Sequence, residues 1–285
     1  MAKPFRWSIA RREQLGQMLA DTEMPLPAPQ FLNDLRTAAA RILAMAENAD
    51  LAFIGRTPEN FYDYLSGAFS SIDEPPELHL VQFSLRWAGN GGVRSVKPEL
   101  LSSFMRYLKE EGADADSISV GARSLALVDF VAQGGTMQNF VELLHLQAER
   151  DGVDWNAVQR KLRIVGLRAR THNSPNTWRW QQHQDWLALI PDTVIKNVSA
   201  PTRLLDYIAN DQPKVTHAFH PGRWEAPEDA AQPLTPRQIE ALALAVQLYD
   251  IGQSKPERTR LAAEIARQPQ MRNPALRSLV SRLKV

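Results

Sequence analysis

The chain has 285 residues, 44% hydrophobic and 23% charged, which are the proportions of an ordinary folded protein and exclude a disordered, collagen-like or coiled-coil chain. At roughly 150 residues per domain, that length predicts one large domain or a domain with a substantial extension. Its 33 Lys and Arg against 32 Asp and Glu give a net charge of +1, so the molecule as a whole does not advertise nucleic acid or an anionic membrane as partner and any basic site is local.

In chain order, apolar positions 7, 9, 15, 18 and 19 predict a short helix, ended by the proline-punctuated MPLPAP. Apolar positions 31, 32, 35, 39, 42, 43 and 46 predict a longer amphipathic helix. From residue 51 the pattern changes to short apolar runs: LAFI (51–54), LHLVQFSL (78–85), SLALV (124–128) and KLRIVGL (161–167). Helix candidates lie between them at 58–69, 98–110 and 136–149. Strand signals separated by helix-length connectors predict βαβ units, hence an α/β fold with a mostly parallel sheet and flanking helices.

After Arg170 the sequence turns irregular and rich in Trp, His, Asn and Pro, with a helix predicted only near 202–209. Helical patterns return at 235–250, 256–269 and 273–285. The predicted organisation is N-terminal helices (1–49) packed on the core, an α/β core (50–170), an irregular Trp-rich cap (171–234) and C-terminal helices (235–285). The absence of cysteine excludes disulfides, a thiolate nucleophile and sulfur-ligated zinc. Arg6, Arg11 and Arg12 fall where a secretory signal needs its apolar run, and no stretch approaches the ~20 apolar residues that span a bilayer. A cytoplasmic protein without a membrane partner is expected.

The most informative stretch is SLALVDFVAQGGTMQNFVELL, 124–144. An apolar strand delivers Asp129, then a glycine loop enters a helix through Thr136. Gly134 and Gly135 let the backbone approach an anion, and the helix N-terminus supplies unpaired N–H donors and partial positive charge. The same residues also suit a plain strand-to-helix turn capped by Asp129.

This stretch resembles the loop of type I phosphoribosyltransferases that binds phosphoribosyl diphosphate (PRPP), in which an apolar strand, two adjacent acidic residues and a Thr/Gly segment lead into a helix. Asp129, Gly134, Gly135 and Thr136 match, whereas Phe130 stands at the second acidic position and Gln133 near the first loop threonine. The resemblance covers about residues 50–170 and implies a phosphoribosyltransferase-like fold. It implies a 5'-phosphate cradle at Gln133, Gly134, Gly135 and Thr136, and Asp129 as the residue holding ribose or a metal-bound water. It further implies diphosphate contacts from Gly55, Arg56, Thr57, Arg86 and Lys97, with Mg2+ arriving on the diphosphate. The expected activity is binding of PRPP or a nucleotide phosphate, with phosphoribosyl transfer to an unknown acceptor as its extension.

Two other classes fit the sequence. One is a non-catalytic regulatory or interaction protein on the same fold, suggested by Phe130. The other is a nucleic-acid-associated protein, suggested by the Trp178–Trp186 stretch and by residues 255–285, where eight basic and two acidic residues give a local charge of +6. His79 and His145 read as packing or surface residues, and His217 with His220 as a weak metal pair. GNGGV at 89–93 lacks the Gly-Lys-Ser/Thr ending of a P-loop.

Overall fold

A computed structural model describes residues 9, 26–85, 92–169, 185–191, 194–216 and 235–285. The predicted helix at 7–20 lies outside them apart from the buried Ile9. Helix α1 (Phe31–Ala46) leads into β1 (Asp50–Ile54), α2 (Glu59–Phe69) and β2 (Leu78–Val81). There follow α3 (Pro98–Glu110), α4 (Ala115–Val120), β3 (Leu125–Phe130), α5 (Gly135–Asp151), α6 (Trp155–Lys161) and β4 (Leu162–Ala169). Beyond β5 (Ile195–Ala200) come α7 (Thr202–Asp206), a π turn, α8 (Pro236–Gln253), α9 (Lys255–Ala266) and α10 (Pro274–Lys284).

The five strands form one sheet in the order β2-β1-β3-β4-β5, every pairing parallel. The α/β expectation therefore holds. The strand boundaries differ from the expected ones. The second strand stops at Val81 instead of running to residue 85, and the third extends through Phe130, with Asp129 near its carboxyl end as expected. Residues 171–234, expected to be irregular, contain β5. This strand was missed because its IKNVSA sequence alternates buried and exposed positions at the sheet edge, without the continuous apolar run of a strand covered on both faces.

Each strand feeds both layers. On β3, Leu125 and Leu127 face one side, packed with α3, α5 and residues 186–195; Ala126 and Val128 face the other, packed with α1, α2, α7, α9 and α10. Among the described residues of the strand connections, only those between β1 and β2 pack on the second face. On that face β4 and β5 are covered by α1 and α7, with α9 packed on α1 and α10 on α9, so the C-terminal helices complete the same core.

A buried ion pair joins these helices: the Arg36 Nε and Nη2 atoms donate to the two Glu257 oxygens at 2.6 and 3.0 Å, and the Tyr64 hydroxyl donates to Oε1 at 3.0 Å. Close approach of α2 and α8 depends on two glycines. A Cβ on Gly67 would lie 1.9 Å from the Tyr249 carbonyl oxygen, and one on Gly252 would lie 2.2 Å from the Tyr64 carbonyl oxygen. Among the described residues no helix is long and apolar enough to cross a membrane.

The basic C-terminal helices are largely occupied with internal partners. Arg258 is buried, Arg260 pairs with Glu257, Arg267 with Glu264, and Arg277 and Arg282 donate to backbone carbonyls.

Candidate functional site

In an open parallel sheet, ligands bind outside the carboxyl ends of the strands where the strand order reverses. Here β1 sends its chain outward to β2 on one side and pairs with β3 on the other, so the reversal falls between β1 and β3. Phe53 is level with Val128. The loops after Ile54 and Phe130 therefore start at the same edge, and Arg56 and Asp129 lie on one side of the sheet as the parallel βαβ reading requires.

The loop after β1 turns at Gly55, whose φ of +75° and whose Cβ position 3.3 Å from the Phe83 carbonyl oxygen favour glycine. Arg56 and Thr57 are half-buried. Arg56 Nη1 donates to the Thr216 carbonyl at 3.3 Å. Glu59, in the first turn of α2, is 1% exposed and accepts the Val215 N–H at 3.0 Å through Oε2. Gln82, just past β2, donates through Nε2 to Thr216 Oγ1 at 3.3 Å. Three contacts from two stretches of chain thus tie residues 215 and 216 to this edge.

Asp129 is 5% exposed and accepts the N–H of Phe130 at 2.7 Å. Phe130 points the other way, into the layer formed by α1 and α2. Gly134, at φ +89°, occupies the N-cap of α5, and the helix begins at Gly135. Thr136 is therefore inside the first turn, and the capping position belongs to Gly134 and not to Asp129. The first backbone acceptor satisfied in that turn is Gly134 O, by Gln138 N–H at 2.9 Å. Among the described residues the N–H groups of Gly135 and Thr136 have no acceptor. A Cβ on Gly135 would meet nothing within 4 Å, so open space lies in front of it. Gln133 is exposed at the start of this turn.

Two cations that the sequence reading did not select belong to the same edge. Arg168 on β4 lies two residues beyond Gly166, which is level with Asp129, so it shares a face with that carboxylate. It is 5% exposed, its Nε and Nη1 have no partner among the described residues, and burial lowers its pKa. Lys214 donates from Nζ to the Ile208 carbonyl at 2.6 Å. Burial, with Arg56 and Arg237, pushes its ammonium down to about 8 against the pull of Glu59 and Asp129. An arginine at the end of an otherwise apolar strand was visible in KLRIVGLRAR. Nothing local marked Lys214, which reaches the site through contacts with residues more than 130 positions away.

Lys97 is exposed at the N-cap of α3, and no contact among the described residues joins it to Arg56 or Asp129. Arg86 lies outside the described residues, as do Trp178, His172, His183, His217 and His220. Trp186 is buried in the layer beneath the sheet, which removes it from any base-stacking surface. His79 lies near Glu77, and His145 stands edge-on to Trp155, both as packing or surface residues. No group of three or more metal-binding side chains occurs among the described residues. The chain matches no family model, no curated protein and no solved structure.

Proposed function

We propose that the protein binds a phosphorylated small molecule, PRPP or a nucleotide phosphate, in the crevice between β1 and β3. The observation that carries this reading is the entry of α5, where the Gly135 and Thr136 amides have no acceptor among the described residues and the space beside Gly135 is open behind a left-handed glycine cap. A helix N-terminus so arranged favours an anion through its N–H donors and its dipole. Residues 133–136 would cradle the phosphate, Arg56 would meet a second phosphate group, and Arg168 adds positive potential from the adjoining strand. Asp129 would accept from a ribose hydroxyl or from water on a Mg2+ carried in by the diphosphate. That fits the habit of Mg2+ to bind through one or two carboxylates and substrate oxygens. The fold assigned to such a site is the phosphoribosyltransferase-like one, again as a proposal.

Phosphoribosyl transfer is the extension of this reading. A loop with two carboxylates on the ligand side would grip the ribose with a second acid; here Asp129 has no such companion, because position 130 faces the opposite layer. Loss of one or two charge-assisted hydrogen bonds, at roughly 1.5–3 kcal/mol each, weakens PRPP binding at least about tenfold. Slow or absent transfer is therefore expected, which favours a regulatory, ligand-sensing role as the second reading. The test is calorimetric titration with PRPP and Mg2+, ribose 5-phosphate and AMP, run beside a pyrophosphate-release assay over a panel of bases. Saturable binding with little turnover agrees with the proposal; no binding of any of the three removes it.

A further inference from the structure

Among the described lysines only Lys161, whose Nζ donates to the Gly121 carbonyl at 2.9 Å, is half-buried as Lys214 is, and Lys161 lies away from this edge. Of the eight in the sequence, those at 97, 109, 196, 255 and 284 are exposed. Lys214 is half-buried, and its backbone neighbours are clamped to the carboxyl edge by Glu59, Arg56 and Gln82. One N–H of its Nζ is committed to the Ile208 carbonyl, which fixes the position of the nitrogen. The charges that act on it are the carboxylates of Glu59 and Asp129 and the guanidinium groups of Arg56 and Arg237. Desolvation and neighbouring cations are the two means by which a lysine is made nucleophilic. With its pKa near 8, about a tenth of the side chain is neutral at pH 7, against well under a hundredth for a lysine at the ordinary ~10.4.

We propose that Lys214 forms an imine with a small phosphorylated aldehyde or ketone held at this edge. The proposal rests on the phosphate-binding reading above and names its ligand class, open-chain sugar phosphates included. The neutral Nζ attacks the carbonyl carbon, forming the C–N bond while the carbonyl π pair moves to oxygen and takes a proton. The nitrogen of the resulting carbinolamine loses its proton, the hydroxyl leaves as water, and the C=N bond closes. Aldehyde plus amine gives imine plus water, with no change of oxidation state. Asp129 and Glu59 are the carboxylates placed to take up and return the protons.

The test treats the full chain with pyridoxal 5'-phosphate or with pyridoxal, reduces with borohydride and maps the modified lysines by mass. Expected is labelling of Lys214 by the phosphorylated aldehyde at least about tenfold above every other lysine and above pyridoxal, in line with its larger neutral fraction and the phosphate contact. Ribose 5-phosphate should suppress it, and Lys214→Arg should abolish it. Labelling spread over the exposed lysines, while ribose 5-phosphate still binds by calorimetry, overturns the imine proposal and leaves the phosphate site standing. Equal labelling of Lys214 by both aldehydes without suppression keeps the reactive lysine and refutes the phosphate reading on which the proposal rests.

Discussion

Replacing Lys214 by methionine should stabilise the protein at neutral pH. The ammonium is pushed from 10.5 to about 8, chiefly by burial. At about 1.4 kcal/mol per pH unit this penalty has a ceiling of ~3 kcal/mol, reduced to ~2–3 by residual solvent access. Against it stands the lost hydrogen bond to the Ile208 carbonyl, worth about 1 kcal/mol. The net gain is about 1–2 kcal/mol, or roughly 3–6 °C in Tm. The pH dependence carries its own signature. Between about 8 and 10.4 the unfolded chain binds the Lys214 proton more tightly than the folded one, so wild-type stability rises with pH through that window. The advantage of Lys214→Met should be full below pH 8, shrink across the window and be small above it. Comparison of urea midpoints for both proteins at pH 7 and pH 10.4 cancels the contributions of other groups. A variant less stable than wild type at pH 7, or a difference that does not change with pH, would refute the reasoning.

Gly67→Ala should cost about 3 kcal/mol in urea unfolding, because its Cβ would sit 1.9 Å from the Tyr249 carbonyl oxygen and force α2 from α8; a change under about 1 kcal/mol would contradict that packing. Glu257→Ala leaves Arg36 buried without its carboxylate and should cost about 3–5 kcal/mol, measured the same way, with a near-neutral result counting against it. Phe130→Asp should destabilise by burying a carboxylate in the α1/α2 layer. It should not raise pyrophosphate release from PRPP, since the new acid faces away from Asp129; a clear gain in turnover would show that the strand's side-chain alternation has been misassigned.

Much of the fold was legible because β1, β3 and β4 are buried on both faces and so read as apolar runs. The helices at 31–46 and 98–110 fall where their apolar period places them. The short helices α4 and α6 were missed although each carries its own start signal. Asp114 accepts from the N–H groups of Asp116 and Ser117, and Asp154 from that of Asn156. Edge strand β5 was missed because Lys196, Asn197 and Ser199 interrupt its apolar positions.

The site divides in the same way. Asp129, Gly134 and Gly135 were readable because a strand, a turn and a helix entry are local in sequence. The contribution of Glu59 and Lys214 was not, because it arises only when residue 215 docks on residue 59. The cap shows a finer limit: the loop was identified with Asp129 as its candidate cap, but the N-cap fell to Gly134, a left-handed residue with no side-chain cap.

The most direct measurement of the central claim is a crystal structure with ribose 5-phosphate, taken alongside calorimetry on wild type and Gly135→Val. A valine at 135 points into open space, so the variant should fold with a Tm close to wild type while filling the volume the phosphate would use. The account predicts a phosphate within hydrogen-bond distance of the Gly135 and Thr136 N–H groups, and loss of binding in the variant. A phosphate seated elsewhere, or undiminished affinity in a folded Gly135→Val protein, would contradict it.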